Sequence, residues 1–172
     1  CSAKRAGNGS LERPWNTLER ANGARLRPGA RLLLRRKRTC HGTLAPRGAG
    51  RRGKPAVIGA YGRGRRPRIH ATGEDAVLLK DMSHVVLQDL ELTNRGDRTT
   101  KKRGVRLVAE RTVVRNVTVR RLYIHHVQGD MSKDQGGSGG IQVDVVGSPQ
   151  DPPQRYDRLR IVSNRIEEVA RS

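Results

Sequence analysis

The sequence predicts an all-β solenoid: a right-handed parallel β-helix closed at its start by a short capping helix. Three observations predict it. A strand–bend–strand pattern recurs along the chain, the core-forming residues are aliphatic with no Phe at all, and Gly and Pro interrupt every apolar run before a long helix can form.

The repeat is the strongest of the three. Val85, Leu87, Leu90 and Leu92 read apolar-x-apolar, two residues, then apolar-x-apolar. Val117, Val119, Leu122 and Ile124 repeat the pattern, as do Leu159, Ile161, Asn164 and Ile166, with Asn164 filling one inward slot. A strand places alternate side chains on one face, so the two-residue break must be a bend if both halves are to point inward. Each segment follows another strand candidate, at 76–79, 104–108 and 140–145. Val77 to Val105 is 28 residues and Val105 to Ile141 is 36. The unequal steps come from polar insertions at 93–103, 128–139 and 146–156, which a solenoid carries as loops. Such short strands bury little alone, so stacking must supply the core.

The helix candidate spans 14–22. Pro14 suits a first turn, Trp15, Leu18 and Ala21 fall at helical spacing, and Gly23 ends the run. Its expected place is over the open end of the stack, with Trp15 packed as a plug, because an uncovered sheet edge invites aggregation. The expected organisation is one domain over 1–172, incomplete as a β-helix, with coils over 26–172.

Of the 172 residues, 36 are basic and 16 acidic, a formal charge of +20. Between Arg20 and Gly73 there are sixteen Lys or Arg and no Asp or Glu. Such a field attracts polyanions. Arg outnumbers Lys 29 to 7, a bias that genome composition also produces on tolerant surfaces. Nucleic acid is disfavoured as the partner, because Trp15, Tyr61, Tyr123 and Tyr156 are too few to build a stacking platform. No apolar run reaches the roughly 20 residues of a membrane span.

Several runs resemble the N-terminal part of secreted bacterial right-handed β-helix proteins of the pectate-lyase-like superfamily. They are Gly7 to Ser10, Arg13 to Leu18, Arg27 to Gly29, Pro55 to Gly62, Ser83 to Val86, Asn116 to Val119 and Gly137 to Ile141. The resemblance covers nearly the whole chain and speaks to fold; that superfamily spans lyases, hydrolases, esterases and noncatalytic adhesins. It implies a secreted, monomeric protein acting on an acidic polysaccharide by β-elimination or hydrolysis, with a noncatalytic polysaccharide-binding or surface role as the alternative. Relatives carry an Asp after the Pro-Gly turn, where this chain has Ala30, and a Gly near Lys37.

Gly48, Gly50 and Gly53 match a dinucleotide fingerprint, but a strand signal rather than a helix follows, so this is a basic turn. Asn116-Val117-Thr118 spells a glycosylation sequon inside a strand, where the structural reading prevails. Cys1 and Cys40 have two readings: a disulfide, or acylation of Cys1 as in a lipoprotein. The disulfide accounts for both and suits secretion. His125 and His126 are adjacent, so strand alternation turns one inward and the other out; His126 is retained as a binding candidate.

The expected site lies on the 128–140 loop and the strand at 141–145. With Ile141 and Val143 inward, Gln142 and Asp144 face outward beside Asp130, Lys133 and Asp134, and beside Arg106 of the preceding coil. Lys133, Asp134 and Asp144 are the catalytic candidates; Asp130, Gln142, His126 and Arg106 are the substrate-binding ones. Asp134 and Asp144 offer hard oxygen ligands for Ca²⁺, which in turn neutralises a uronate. A Lys near that cation has a depressed pKa and abstracts a proton α to a carboxylate.

Overall fold

The protein is described by a computed structural model covering residues 1, 7–97, 99–130, 132, 137–147 and 153–169. The described residues wind into five coils, each giving one strand to each of three faces. The first coil holds β1 (Arg25–Leu26), β2 (Arg31–Arg35) and β3 (Thr39–His41). The second holds β4 (Arg47–Gly48), β5 (Ala56–Tyr61) and β6 (Arg68–His70). Next come β7 (Asp75–Lys80), β8 (Val85–Gln88) and β9 (Glu91–Arg95), then β10 (Arg103–Ala109), β11 (Val113–Arg120) and β12 (Tyr123–Gln128). The fifth coil holds β13 (Gly139–Val145), β14 (Arg155–Val162) and β15 (Arg165–Val169).

Every strand pairing between coils is parallel. The second face runs β2-β5-β8-β11-β14 and the third β3-β6-β9-β12-β15. The first face has two stretches, β1-β4 and β7-β10-β13, joined by a bridge from Leu44 to Val77. This is the right-handed parallel β-helix that the repeats predict. Val85, Val117 and Leu159 are register partners, as are Val77, Val105 and Ile141, so insertions of unequal length leave the stacking intact.

The core is a column of aliphatic side chains in the inward slots. Val85, Leu87, Leu90, Leu92, Val119 and Ile124 are fully buried. In the fifth coil the equivalent slots lie open: Val143, Ile161 and Ile166 are 40–46% exposed, with no coil above them among the described residues. Asn164 fills its slot by donating to Val119 O (3.1 Å) and accepting from Leu122 N (3.0 Å), so its amide replaces a packing contact with two hydrogen bonds.

The helix, α1 (Leu18–Gly23), begins later than Pro14 because Thr17 caps it, its hydroxyl accepting from Arg20 N at 3.4 Å. Leu18 and Ala21 press onto the core. Asn22 holds the helix to the second coil, donating to Thr43 O (2.9 Å) and accepting from Ala45 N (2.8 Å). Pro14 and Trp15 precede the helix, and Trp15 packs half-buried against the core. A disulfide joins Cys1 to Cys40 on β3. Residues 51–54 form a tight antiparallel turn, closed by bonds between Arg51 and Lys54 in both directions.

Candidate functional site

On the first face β10 lies between β7 and β13, and its outward residues meet both neighbours. Arg106 Nε donates to Asp144 Oδ2 at 2.7 Å, and Gln142 Nε2 donates to Asp144 Oδ1 at 2.8 Å. Arg103, 2% exposed, donates through Nε to Gln142 Oε1 (2.6 Å) and through Nη1 to Glu74 Oε2 (3.1 Å) and Asp75 Oδ1 (3.2 Å). One polar chain therefore crosses three coils. Burial pushes the Asp75 carboxyl up, with the Arg103 bond and charge opposing it. Burial also pushes Asp144 up, but the bonds from Gln142 and Arg106 outweigh it and leave its pKa lowered.

Of the expected residues the structure brings together Arg106, Gln142 and Asp144. Asp130 lies in the turn before β13 with its carboxylate folded onto Ser132, accepting from its N–H (2.8 Å) and hydroxyl (2.7 Å). Lys133 and Asp134 lie outside the described residues. Both oxygens of Asp144 accept hydrogen bonds, one of them from the Arg106 guanidinium. His126 is on the third face, away from this group.

The same first face carries a cationic groove at its earlier coils. Arg25, Arg27, Arg47, Lys80, Asp81 and Arg111 line a depression of about 800 Å³. Arg25 and Arg47 are direct register partners on β1 and β4, and both are exposed. Like charges opposed across a sheet repel. Lys80 and Arg111 share Glu110 (2.5 and 3.6 Å), whereas Arg25, Arg27 and Arg47 have no acidic partner among the described residues. The Asp81 carboxylate is taken by the backbone N–H groups of Glu110 and Arg111.

The third face holds a constellation that the sequence reading passed over. Glu91 is 8% exposed, and its Oε1 accepts from Arg68 Nε (2.6 Å) and meets His125 Nε2 (3.0 Å). Tyr123 stacks on His125 at 4.2 Å and donates to Glu167, which also accepts from Arg165 (2.8 Å). Arg68, Glu91, Tyr123 and Arg165 are one outward column of register partners. Three of them occupy the same x slot of the repeat, so comparing outward slots across the aligned segments would have exposed the column.

Strand alternation fails at His126. The register of β12 against β9 slips by one residue between Ile124 and Val127, and His126 takes a φ of +51°. This bulge places both imidazoles outside the core, with the two Nδ1 atoms 2.5 Å apart, instead of one inward and one outward.

No family model matches the sequence, and no characterised protein matches it by sequence. Solved structures do match. The GH136 lacto-N-biosidase from Eubacterium ramulus superposes with a TM-score of 0.88 at 23% identity as the selenomethionine derivative, and 0.85 at 21% as the native protein. In both, 96% of this chain is covered and 33% of the enzyme's, so the chain spans a third of that neighbour's length. At such identities the likeness is one of fold.

Proposed function

We propose that the chain belongs to a secreted, carbohydrate-active β-helix protein that holds an acidic polysaccharide along its first face. The observation that carries this reading is the in-register pair Arg25 and Arg47, exposed and without acidic partners, in a groove on the face that also bears Arg106 and Asp144. Uncompensated guanidinium groups one strand spacing apart are held at an energetic cost that a bound anion removes. Their planar donor forks match carboxylates. The fold of a glycoside hydrolase and the Cys1–Cys40 disulfide, which suits an oxidising compartment, support the same reading.

In this reading the chemistry belongs to Asp144 together with Lys133 and Asp134, which precede β13 in the sequence. For β-elimination Lys133 would take the proton α to the uronate carboxylate as the glycosidic oxygen leaves the β carbon, with Arg106 as a cation for that carboxylate. Hydrolysis would use Asp144 with a second carboxylate from the turn, Asp130 or Asp134. The buried Asp75 serves neither, because it is 6% exposed. The noncatalytic alternative uses the same groove without turnover.

The test is the affinity for oligogalacturonate of Arg25→Ser and Arg47→Ser combined in one variant. The expected result is a loss of about tenfold, or about 1.4 kcal/mol, with the melting temperature unchanged or raised. Affinity equal to that of the parent protein would remove the groove from the account.

A further inference from the structure

We infer that His125 and His126 form a binding site for a borderline divalent transition ion of the zinc or copper class, the carboxylates of Glu91 and Glu168 holding the two rings. His125 Nε2 lies 3.0 Å from Glu91 Oε1, and His126 Nε2 lies 2.6 Å from Glu168 Oε2. An ionised carboxylate only accepts, so each ring carries a hydrogen on Nε2. In the neutral tautomer this leaves a lone pair on each Nδ1, and those two atoms face each other at 2.5 Å. Two lone pairs so opposed repel. A positive charge belongs between them.

A metal ion suits the arrangement better than a proton alone for two reasons. A metal-bound imidazole characteristically donates its other N–H to a carboxylate, which fixes the tautomer and the ring, and here both rings are held in that way. The pair is also unlike the other histidines of this face. His41 and His70 lie edge to face at 5.4 Å, and His70 Nδ1 meets Thr93 Oγ1 rather than a carboxylate.

Geometry sets what must move. Bonds of about 2.0–2.1 Å at a tetrahedral centre put two nitrogens about 3.3 Å apart, so the rings must part by a little under 1 Å. His125 is fixed by Glu91 and by its stack on Tyr123; His126, whose side chain is 31% exposed, sits on the bulge and can turn. Nearby charges tolerate a cation. Arg68 answers Glu91 and Arg165 answers Glu167, leaving Glu168, 60% exposed, as the carboxylate facing His126.

Among the described residues no group of three His, Cys, Asp or Glu converges on one point, so the protein supplies two ligands and water the rest. Two imidazoles favour zinc, copper or nickel over oxygen-seeking calcium or magnesium. The open positions are those a substrate oxygen would enter. This inference is independent of the polysaccharide reading of the first face.

The test is calorimetric titration of the chain with zinc chloride, repeated with calcium chloride, alongside nuclear magnetic resonance of the imidazole nitrogens. Zinc is expected to bind one per chain, with the His125 and His126 Nδ1 signals shifting and calcium giving no saturable heat. His126→Asn keeps a residue that tolerates the left-handed backbone and is expected to weaken zinc at least tenfold. Glu168→Ala is expected to weaken it about 10- to 100-fold, and His70→Ala to leave it unchanged. Absence of saturable zinc binding would overturn the inference. So would binding that survives His126→Asn, or that is lost with His70→Ala instead.

Discussion

Lys37 has a φ of +62° at the bend between β2 and β3, a conformation that costs a residue with a side chain about 1–2 kcal/mol. Glycine would remove the steric cost while adding part of it back as chain entropy. Lys37→Gly is therefore expected to stabilise the protein by about 0.5–1 kcal/mol in urea unfolding, and a loss of stability would contradict the argument. The equivalent bends at Asp89 and Arg121 are also left-handed, and there the side chains make a forked ion pair, both bonds 2.8 Å. The Arg121 bond holds the Asp89 carboxyl below its ordinary value near 3.8. A lowered carboxylate contributes stability that is present above that value and lost as pH falls through the folded one. Asp89→Asn should thus flatten the acid limb of the stability curve below about pH 4; an unchanged limb would show the pair contributes nothing. At Asp144 the first-face reading makes a separate claim. Asp144→Asn and Lys133→Ala should each lower turnover or polymer affinity at least about tenfold, roughly 1.4 kcal/mol, with little change in melting. Full activity in both would move the chemistry elsewhere.

Elements differ in how far they can be read from their residues. Strands such as β11 and β14 announce themselves because two inward aliphatics bracket a polar outward position. β1, β4 and β6 have two or three residues and do not, since Arg25–Leu26 carries no period at all. The start of the capping helix is hard to read because Pro14 and Trp15 mimic a first turn, while the signal that decides it is the Thr17 hydroxyl. The paired histidines are hard to read for a different reason. Alternation assumes an unbroken strand, and nothing in Ile124-His125-His126-Val127 spells a bulge. Of the site, Gln142 and Asp144 were legible from alternation alone; the buried Arg103 that joins them to Asp75 was not, because a charged residue at the start of a strand reads as solvated. Close approach between coils supplies a test at this scale. A methyl on Gly104 would meet Gly140 O at 2.6 Å and Ile124 Cγ2 at 2.5 Å, whereas one on Gly140 would meet only the open Ile166 side chain. Gly104→Ala should cost about 1–3 kcal/mol and Gly140→Ala distinctly less, as read from urea midpoints. Equal costs would argue that the coils do not stack in this register.

For the whole molecule, charge and shape act together. A β-helix displays its outward columns at a fixed spacing of about 4.8 Å per coil, so a cationic column presents a regular row to a linear polymer lying along the axis. The acid-free stretch before Glu74 falls in the first two coils, and the first-face carboxylates Asp75 and Asp144 fall in later ones. The exposed Arg25–Arg47 pair and the Asp144 carboxylate thereby lie at different heights of one face. A polysaccharide partner requires that positive face to discriminate among polyanions. Screening shortens the reach of exposed charges to about 8 Å at physiological ionic strength, so nonspecific attraction weakens for every polyanion alike. The direct measurement is the binding of polygalacturonate and of duplex DNA, matched in charge density, across a salt series. Tighter binding to polygalacturonate, persisting at physiological salt and reduced in the Arg25→Ser, Arg47→Ser variant, is the predicted result. Equal or tighter binding to DNA would contradict it and leave the charge without a polysaccharide partner.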